Sequence, residues 1–180
     1  MTDNETKAKK FKTIDVVYVG LFAALICVCA WISIPLTVSI TLQTFAVCLT
    51  AGLLGWKRGT LTVVVYILLG MVGLPVFTGF KNGVAAVAGP TGGYIIGFIF
   101  TALIVGLAVD KLGKKLWVNI LFMALGIAVC YLFGTVWFVI AYKVSFASAL
   151  STCVVPFLLP DAVKIALSAV LVNRLKKFVK

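Results

Sequence analysis

The chain contains no histidine, and only five of its 180 residues are acidic. Without imidazole there is no Ser-His-Asp hydrolase and no metal site of the histidine-containing kind. Of the acids, Asp3 and Glu5 stand in the N-terminal tail and Asp15 and Asp110 at the ends of apolar runs, which leaves only Asp161 deep in apolar sequence. A single deep carboxylate excludes paired-carboxylate catalysis, and no serine lies beside a credible base, so an intramembrane enzyme is excluded too. Nor is there a G-x-x-x-x-G-K-S/T phosphate loop, because the nearest glycine-rich stretch, Gly89-Pro90-Thr91-Gly92-Gly93, has no lysine. Any ATP chemistry behind active transport must therefore belong to a partner, and no cofactor is expected.

Charge of either sign is scarce. Charged residues make up 12% of the chain and hydrophobic ones 63%, with a mean hydropathy of +1.19. Soluble domains carry about 25% charged and about 45–50% apolar residues, so this is the composition of a membrane protein. The net charge of +11 does not point to nucleic acid, because thirteen of the sixteen Lys and Arg fall in four short clusters between long apolar runs. The clusters are Lys7, Lys9, Lys10 and Lys12; Lys57 and Arg58; Lys111, Lys114 and Lys115; and Arg174, Lys176, Lys177 and Lys180. Basic residues so placed read as flanks of membrane spans. The five cysteines (Cys27, Cys29, Cys48, Cys130, Cys153) are odd in number, lie in apolar sequence and lack metal-site spacing, so they read as small buried apolar residues.

Six spans are expected. The first runs from Ile14 to Ile34 and stops at Pro35; at ~1.5 Å per residue it covers about 31 Å, enough for a bilayer core of ~30 Å. It has no convincing small-x-small cleavage site, so it is a retained span rather than a signal peptide. After the uncharged linker Leu36 to Thr41, an apolar run from Leu42 to Leu54 ends at Gly55-Trp56-Lys57-Arg58-Gly59. That run is short, and must either extend back through the linker or sit beside a loop that re-enters the membrane. The third span, Thr60 to Leu74, is also short and ends at Pro75. Pro75 to Thr91 is too rich in Gly and Pro for one helix, yet too apolar to float in water, so it reads as a loop folded back into the protein. The fourth span is Gly92 to Val109. The fifth is Leu116 to Tyr142, with its tyrosines and Trp137 placed as interfacial anchors. Pro160 marks the start of the sixth, Asp161 to Asn173.

The expected architecture is thus an all-α integral membrane protein. Six transmembrane helices form one membrane domain over 14–175, between basic cytoplasmic tails at 1–13 and 176–180, with a partly re-entrant outward loop between the third and fourth helices. Six spans put both termini on one side; that side carries thirteen basic residues, while the other side's loops carry only Lys81 and Lys143. The bias orients both termini to the cytoplasm of the plasma membrane. No inverted repeat is visible, and a chain this small is more a subunit than a complete alternating-access machine.

Lys164 is the one basic residue inside a span, three residues after Asp161 and on the same helix face. An ionisable group at that depth costs about 2.5–3.5 kcal/mol on insertion scales, so it faces a cavity or a partner charge. Two readings stand. One is an intrahelical Asp161–Lys164 ion pair with the lysine snorkelling outward; the other is a ligand-binding pair, favoured by the company of Lys81, Asn82 and Gln43 on the same outward side. Asn82 before Gly83 could equally be a turn residue, and Gln43 a solvated amide. Together these groups suit a small molecule with a carboxylate at one end and a neutral polar head at the other. Lys164 would take the anion, Asp161 would accept head-group N–H bonds, Asn82 or Gln43 would donate to a carbonyl, and Phe77, Phe80 or Trp31 would flank an apolar middle.

Three segments carry a family resemblance: Gly73-Leu74-Pro75-Val76-Phe77, Gly89-Pro90-Thr91-Gly92-Gly93-Tyr94-Ile95-Ile96-Gly97-Phe98, and Pro156-Phe157-Leu158-Leu159-Pro160-Asp161-Ala162-Val163-Lys164. They resemble the BioY family, the biotin-specific substrate-binding subunits of energy-coupling factor (ECF) transporters. The resemblance implies a six-helix membrane subunit that captures biotin from outside and works with a membrane scaffold subunit and two ATPase subunits. It places Asp161 and Asn82 around the ureido ring and Lys164 at the valerate carboxylate, with Gln43 and Tyr94 as further substrate contacts. The family's small-x-x-x-small face in the first helix, usually A-x-x-x-A, reads here Gly20-Leu21-Phe22-Ala23-Ala24. This pair is either a docking surface for a partner or ordinary packing within the bundle. The alternatives are the same architecture serving another vitamin, and a self-contained secondary carrier. Cationic thiamine fits poorly with an outward Lys164 and so few acids.

Overall fold

The computed structural model describes residues 12–113 and 115–179. Asp3, Glu5, Lys7, Lys9, Lys10, Lys114 and Lys180, and with them most of the expected N-terminal tail, lie outside the described residues. The elements are α1 (Thr13–Trp31), a two-stranded hairpin of β1 (Ser33–Ile34) and β2 (Ile40–Thr41), α2 (Gln43–Met71), a 3-10 turn (Thr78–Phe80), α3 (Gly83–Ala88), α4 (Gly92–Leu112), α5 (Leu116–Tyr142), α6 (Phe146–Cys153) and α7 (Val155–Leu175).

α1 begins where Asp15, in its first turn, accepts a 2.9 Å bond from the N–H of Lys12. It ends three residues earlier than the sequence suggests, because Ser33 and Ile34 leave the helix to pair antiparallel with Thr41 and Ile40. The uncharged linker Leu36 to Thr41 supplies the turn and second strand of this hairpin, from β-branched residues that suit a strand.

The second and third expected spans are two arms of one folded element. Gly55, with φ 76° and ψ −176°, breaks α2 into arms 43–54 and 56–71. The arms lie side by side, since Gln43 Nε2 donates to Tyr66 Oη at 2.6 Å. In a straight helix that separation in sequence would put the two residues about 35 Å apart. Only glycine adopts this backbone conformation at low cost. Two acids at the same end secure the reversal: Asp110 accepts from the N–H of Trp56 at 3.0 Å, and Asp15 pairs with Arg58 at 2.7 Å. The arms span about 18 and 24 Å, short of the ~30 Å bilayer core, so the remaining depth is filled by other segments.

One of those segments is the loop after α2. It folds back as expected: Val76 and Phe77 are buried, and the Phe77 ring meets Tyr66 edge-on with centroids 5.6 Å apart. α4 continues to Leu112, one turn beyond the expected end, and α5 has the expected limits. α4 occupies the middle of the bundle between α2 and α5. Its approach to α5 is close because Gly97 faces the backbone of Cys130 and Thr101 Oγ1 donates to Gly126 O at 2.8 Å.

The last span departs from expectation at its start. α7 begins at Val155, not at Pro160, and Asp161 stands well inside it. Pro156 falls in the first turn, where no N–H is needed, and Pro160 forfeits only the bond to the Pro156 carbonyl. Counting 146–175 as one, five helices among the described residues are long and apolar enough to cross a membrane, and the fold in α2 makes six passes of them. Large apolar side chains that would be anomalous in water, such as Trp117, Ile140 and Leu159, stand exposed on the outside of the bundle, as a lipid-facing surface requires. The described members of the basic clusters gather at the end that holds Gly55, since Val172 near the end of α7 packs against Gly52. The hairpin, the 75–91 loop and the α5–α6 connection occupy the opposite end.

A Cβ at Gly55 would strain the backbone and stand 2.5 Å from the Asp110 carboxylate. Gly55→Ala is therefore expected to cost at least about 1–3 kcal/mol and to lower the unfolding temperature in detergent. Gly20→Ala, with open space around the position, should leave it unchanged. Equal unfolding temperatures for the two variants would contradict this account of the reversal.

Candidate functional site

At the end opposite Gly55 a cavity of about 700 Å³ opens between the hairpin, the 77–95 segment and the outer halves of α5 and α7. Its charged floor comes from α7, where helical spacing puts Asp161, Lys164 and Ser168 on one buried face. Ser168 Oγ donates to Phe45 O at 3.2 Å and ties that face to the start of α2.

Asp161 is 2% exposed and Lys164 6%. One carboxylate oxygen, Oδ1, receives Lys164 Nζ at 2.7 Å and Thr44 Oγ1 at 2.9 Å, and the other, Oδ2, receives Tyr131 Oη at 2.6 Å. Lys164 Nζ also donates to Thr44 Oγ1 at 3.3 Å. A carboxylate offers about four lone-pair sites and an ammonium group three N–H donors, so one acceptor position and one donor remain for a ligand. The ion-pair reading holds, since the two ions are bonded to each other, and both also line the cavity. The idea that Lys164 snorkels to the surface does not hold, since its side chain is buried beside Asp161. With α7 starting six residues before Asp161, the positive helix terminus gives the carboxylate no support; neighbouring side chains give it instead.

Gln43 is buried at the edge of the same cavity, and most of its amide is spent on structure. Its Oε1 accepts from Thr41 and Thr78 at 3.2 and 3.1 Å, and its Nε2 donates to Tyr66, which donates to Val76 O. One N–H is left over, so Gln43 can donate to a ligand but not accept. Asn82 is exposed on the cavity rim at the N-cap of α3 and makes no capping bond with its side chain. Tyr94 lines the cavity with its ring, stacked on Phe157 at 6.0 Å, and its hydroxyl donates to the carbonyl of Cys153.

The aromatic lining differs from expectation. Of Phe77, Phe80 and Trp31, only Phe77 faces the cavity. Trp31 and Phe80 stack on each other at 5.0 Å outside it, and Trp31 Nε1 donates to Pro75 O at 2.9 Å, which clasps α1 to the loop. The walls include Phe98, Tyr131 and Phe157, none of which the sequence analysis placed at the site. Tyr131 and Trp137 are not free interfacial anchors: the first bonds Asp161, and the second donates from Nε1 to Gly89 O at 3.0 Å. The period of the helix could have revealed Tyr131, because it falls on the face of α5 that carries the buried Ile127 and Cys130.

Gly20 and Ala24 are exposed on the outer face of α1, and a Cβ built at Gly20 meets nothing within 4 Å. Packing of this pair within the bundle is thereby excluded, and the small surface faces outward.

Residues 4–180 match the BioY family. The chain is 45% identical over 163 residues to the biotin transporter BioY of Thermotoga maritima, covering 88% of this chain and 93% of that one. It is 42% identical to the probable biotin transporter BioY of Pyrococcus horikoshii, over 92% and 98% of the two chains. The crystal structure of the S-component for biotin from an ECF-type ABC transporter superposes with a TM-score of 0.86 at 30% identity, covering 98% of this chain and 95% of that one. On sequence and on fold alike, this multi-pass membrane protein belongs to the BioY family.

Proposed function

We propose that this protein captures biotin from outside the cell as the substrate-specific subunit of an ECF-type importer, with a membrane scaffold subunit and two ATPase subunits supplying the coupling. The observation that carries the reading is the buried Asp161–Lys164 pair at the floor of a cavity of about 700 Å³. Biotin presents two ureido N–H donors and a carbonyl on an apolar bicycle, with a carboxylate at the end of a flexible chain. Asp161 accepts from the ureido N–H groups, the free amide of Asn82 donates to the ureido carbonyl, and Gln43 can add its one spare N–H. Tyr94, Phe98 and Phe157 flank the bicycle. Lys164 takes the carboxylate: its flexible stem leaves Asp161 Oδ1 as a ureido N–H replaces it there, so the carboxylate of Asp161 stays fully bonded throughout.

The protein sits in the cell membrane with both termini cytoplasmic, following the basic clusters. The cavity then opens outward. A reagent test follows: with a membrane-impermeant thiol reagent applied to intact cells, Lys81→Cys should label and Lys115→Cys should not. The five native cysteines are buried and serve as the background. Labelling of Lys115→Cys alone would invert the orientation.

Gly20 and Ala24 form the docking face for the scaffold subunit, since small residues let helix backbones approach closely. Gly20→Trp and Ala24→Trp should keep biotin binding and lose most ATP-dependent uptake, measured by titration of the purified protein and by uptake into cells. Loss of binding with retained assembly would assign this face to the chain's own stability.

The ligand's carboxylate is tested by a four-corner comparison of two proteins and two ligands, which cancels any general effect on folding. The wild type is expected to bind biotin much more tightly than biotin methyl ester, and Lys164→Ala to lose most of that preference through faster dissociation of the acid. Truncating one member of a buried charge pair costs about 2–5 kcal/mol, or about 30- to 4,000-fold in affinity. A preference that survives unchanged in the variant would show that Lys164 does not hold the carboxylate.

A further inference from the structure

Among the described residues that line the cavity, three are charged: Lys81, Asp161 and Lys164. Asp161 and Lys164 neutralise each other at 2.7 Å. The lining as a whole therefore carries a charge of +1, and the uncompensated charge is Lys81. No acid shares the lining with it apart from Asp161, which is already bonded to Lys164, Thr44 and Tyr131. A ligand carrying one negative charge would leave the filled cavity neutral, whereas a neutral or cationic one would not.

The position of Lys81 fits a role at the rim rather than at the floor. Its side chain is exposed, and its loop is closed on itself by the bond from Phe77 N–H to Lys81 O at 3.1 Å. The preceding Gly79 and Phe80 have φ of 68° and 59°, and the following Gly83 has φ of 75°. These turns hold Lys81 and Asn82 at the mouth, beside the stacked Trp31 and Phe80. Charges at a rim act on approach: they raise the rate of encounter with an opposite charge and are screened by salt, while buried pairs govern departure.

We propose that Lys81 is the charge selector of this cavity, drawing a monoanionic ligand into the mouth and setting the net charge that makes the site prefer a single carboxylate. The proposal rests on the biotin reading above and adds a kinetic division of labour: Lys81 controls entry of the anion and Lys164 its retention.

The test is stopped-flow binding of biotin and of biotin methyl ester to the purified full chain at low and at physiological ionic strength. Lys81→Gln should slow biotin association about 3- to 10-fold at low salt. It should also flatten the salt dependence seen in the wild type, and leave the dissociation rate and the ester's kinetics unchanged. Lys81→Arg, which keeps the charge, should behave as the wild type. Equal slowing of acid and ester in Lys81→Gln would make Lys81 a structural part of its loop and overturn the proposal, as would biotin association that is unaffected by the substitution. A failure of the biotin reading shows separately, in a wild type that binds neither ligand, and removes the proposal with it.

Discussion

A carboxylate held at 2% exposure inside an apolar bundle is stable only if its bonds to water are replaced, and that requirement organises the cavity end of the protein. Asp161 draws a donor from each of three helices: Thr44 from the first arm of α2, Tyr131 from α5 and Lys164 from its own α7. Desolvating an isolated charge costs many kcal/mol, so the three helices are fixed in register around it by the cost of leaving any bond unmade. Thr44 both donates to Asp161 and accepts from Lys164, so its hydroxyl couples the two ions. The network has few spare positions, and those it has face the cavity.

The same economy governs the basic end. The reversal in α2 exposes the first N–H groups of its second arm, and Asp110 from α4 accepts one of them while Asp15 from α1 pairs with Arg58 just beyond. Of the acids in the described chain, all three thus join helices to one another. Asp15 and Asp161 are buried, while Asp110 is exposed at the Gly55 end and is still tied to the backbone there.

Much of this was readable in the sequence, for identifiable reasons. Long apolar runs gave the spans, and the clustered lysines marked the ends at which basic residues gather, because hydropathy and charge placement are one-dimensional signals. Asp161 and Lys164 stood out because ionisable residues are costly in such sequence. The hidden features depend on contacts distant along the chain. Tyr131 reads as an ordinary aromatic until α7 is set beside α5, and Thr44 has no signal beyond its polarity. Pro160 was misleading, since a proline in apolar sequence suggests a helix start, while the helix already begins at Val155. The hairpin over 33–41 was too short for an alternation pattern. At Gly55 the sequence showed a break but not that the arms would lie together, which Gln43 and Tyr66 make evident only in three dimensions.

The shortness of the first arm of α2 has a consequence for permeability. From the cavity floor at Thr44 to the turn at Gly55, the arm covers about 17 Å at ~1.5 Å per residue. Over that stretch Val47, Cys48 and Ala51 are fully enclosed, in the core they share with Val105, Met123, Ala169 and Val172 of α4, α5 and α7. This mostly apolar core lies between the cavity and the basic end. An ion crossing such a core meets a steep dielectric barrier. A solute resting on the floor likewise has no route onward by diffusion. The vessel is open on one side only, and emptying it to the other requires the helices themselves to move.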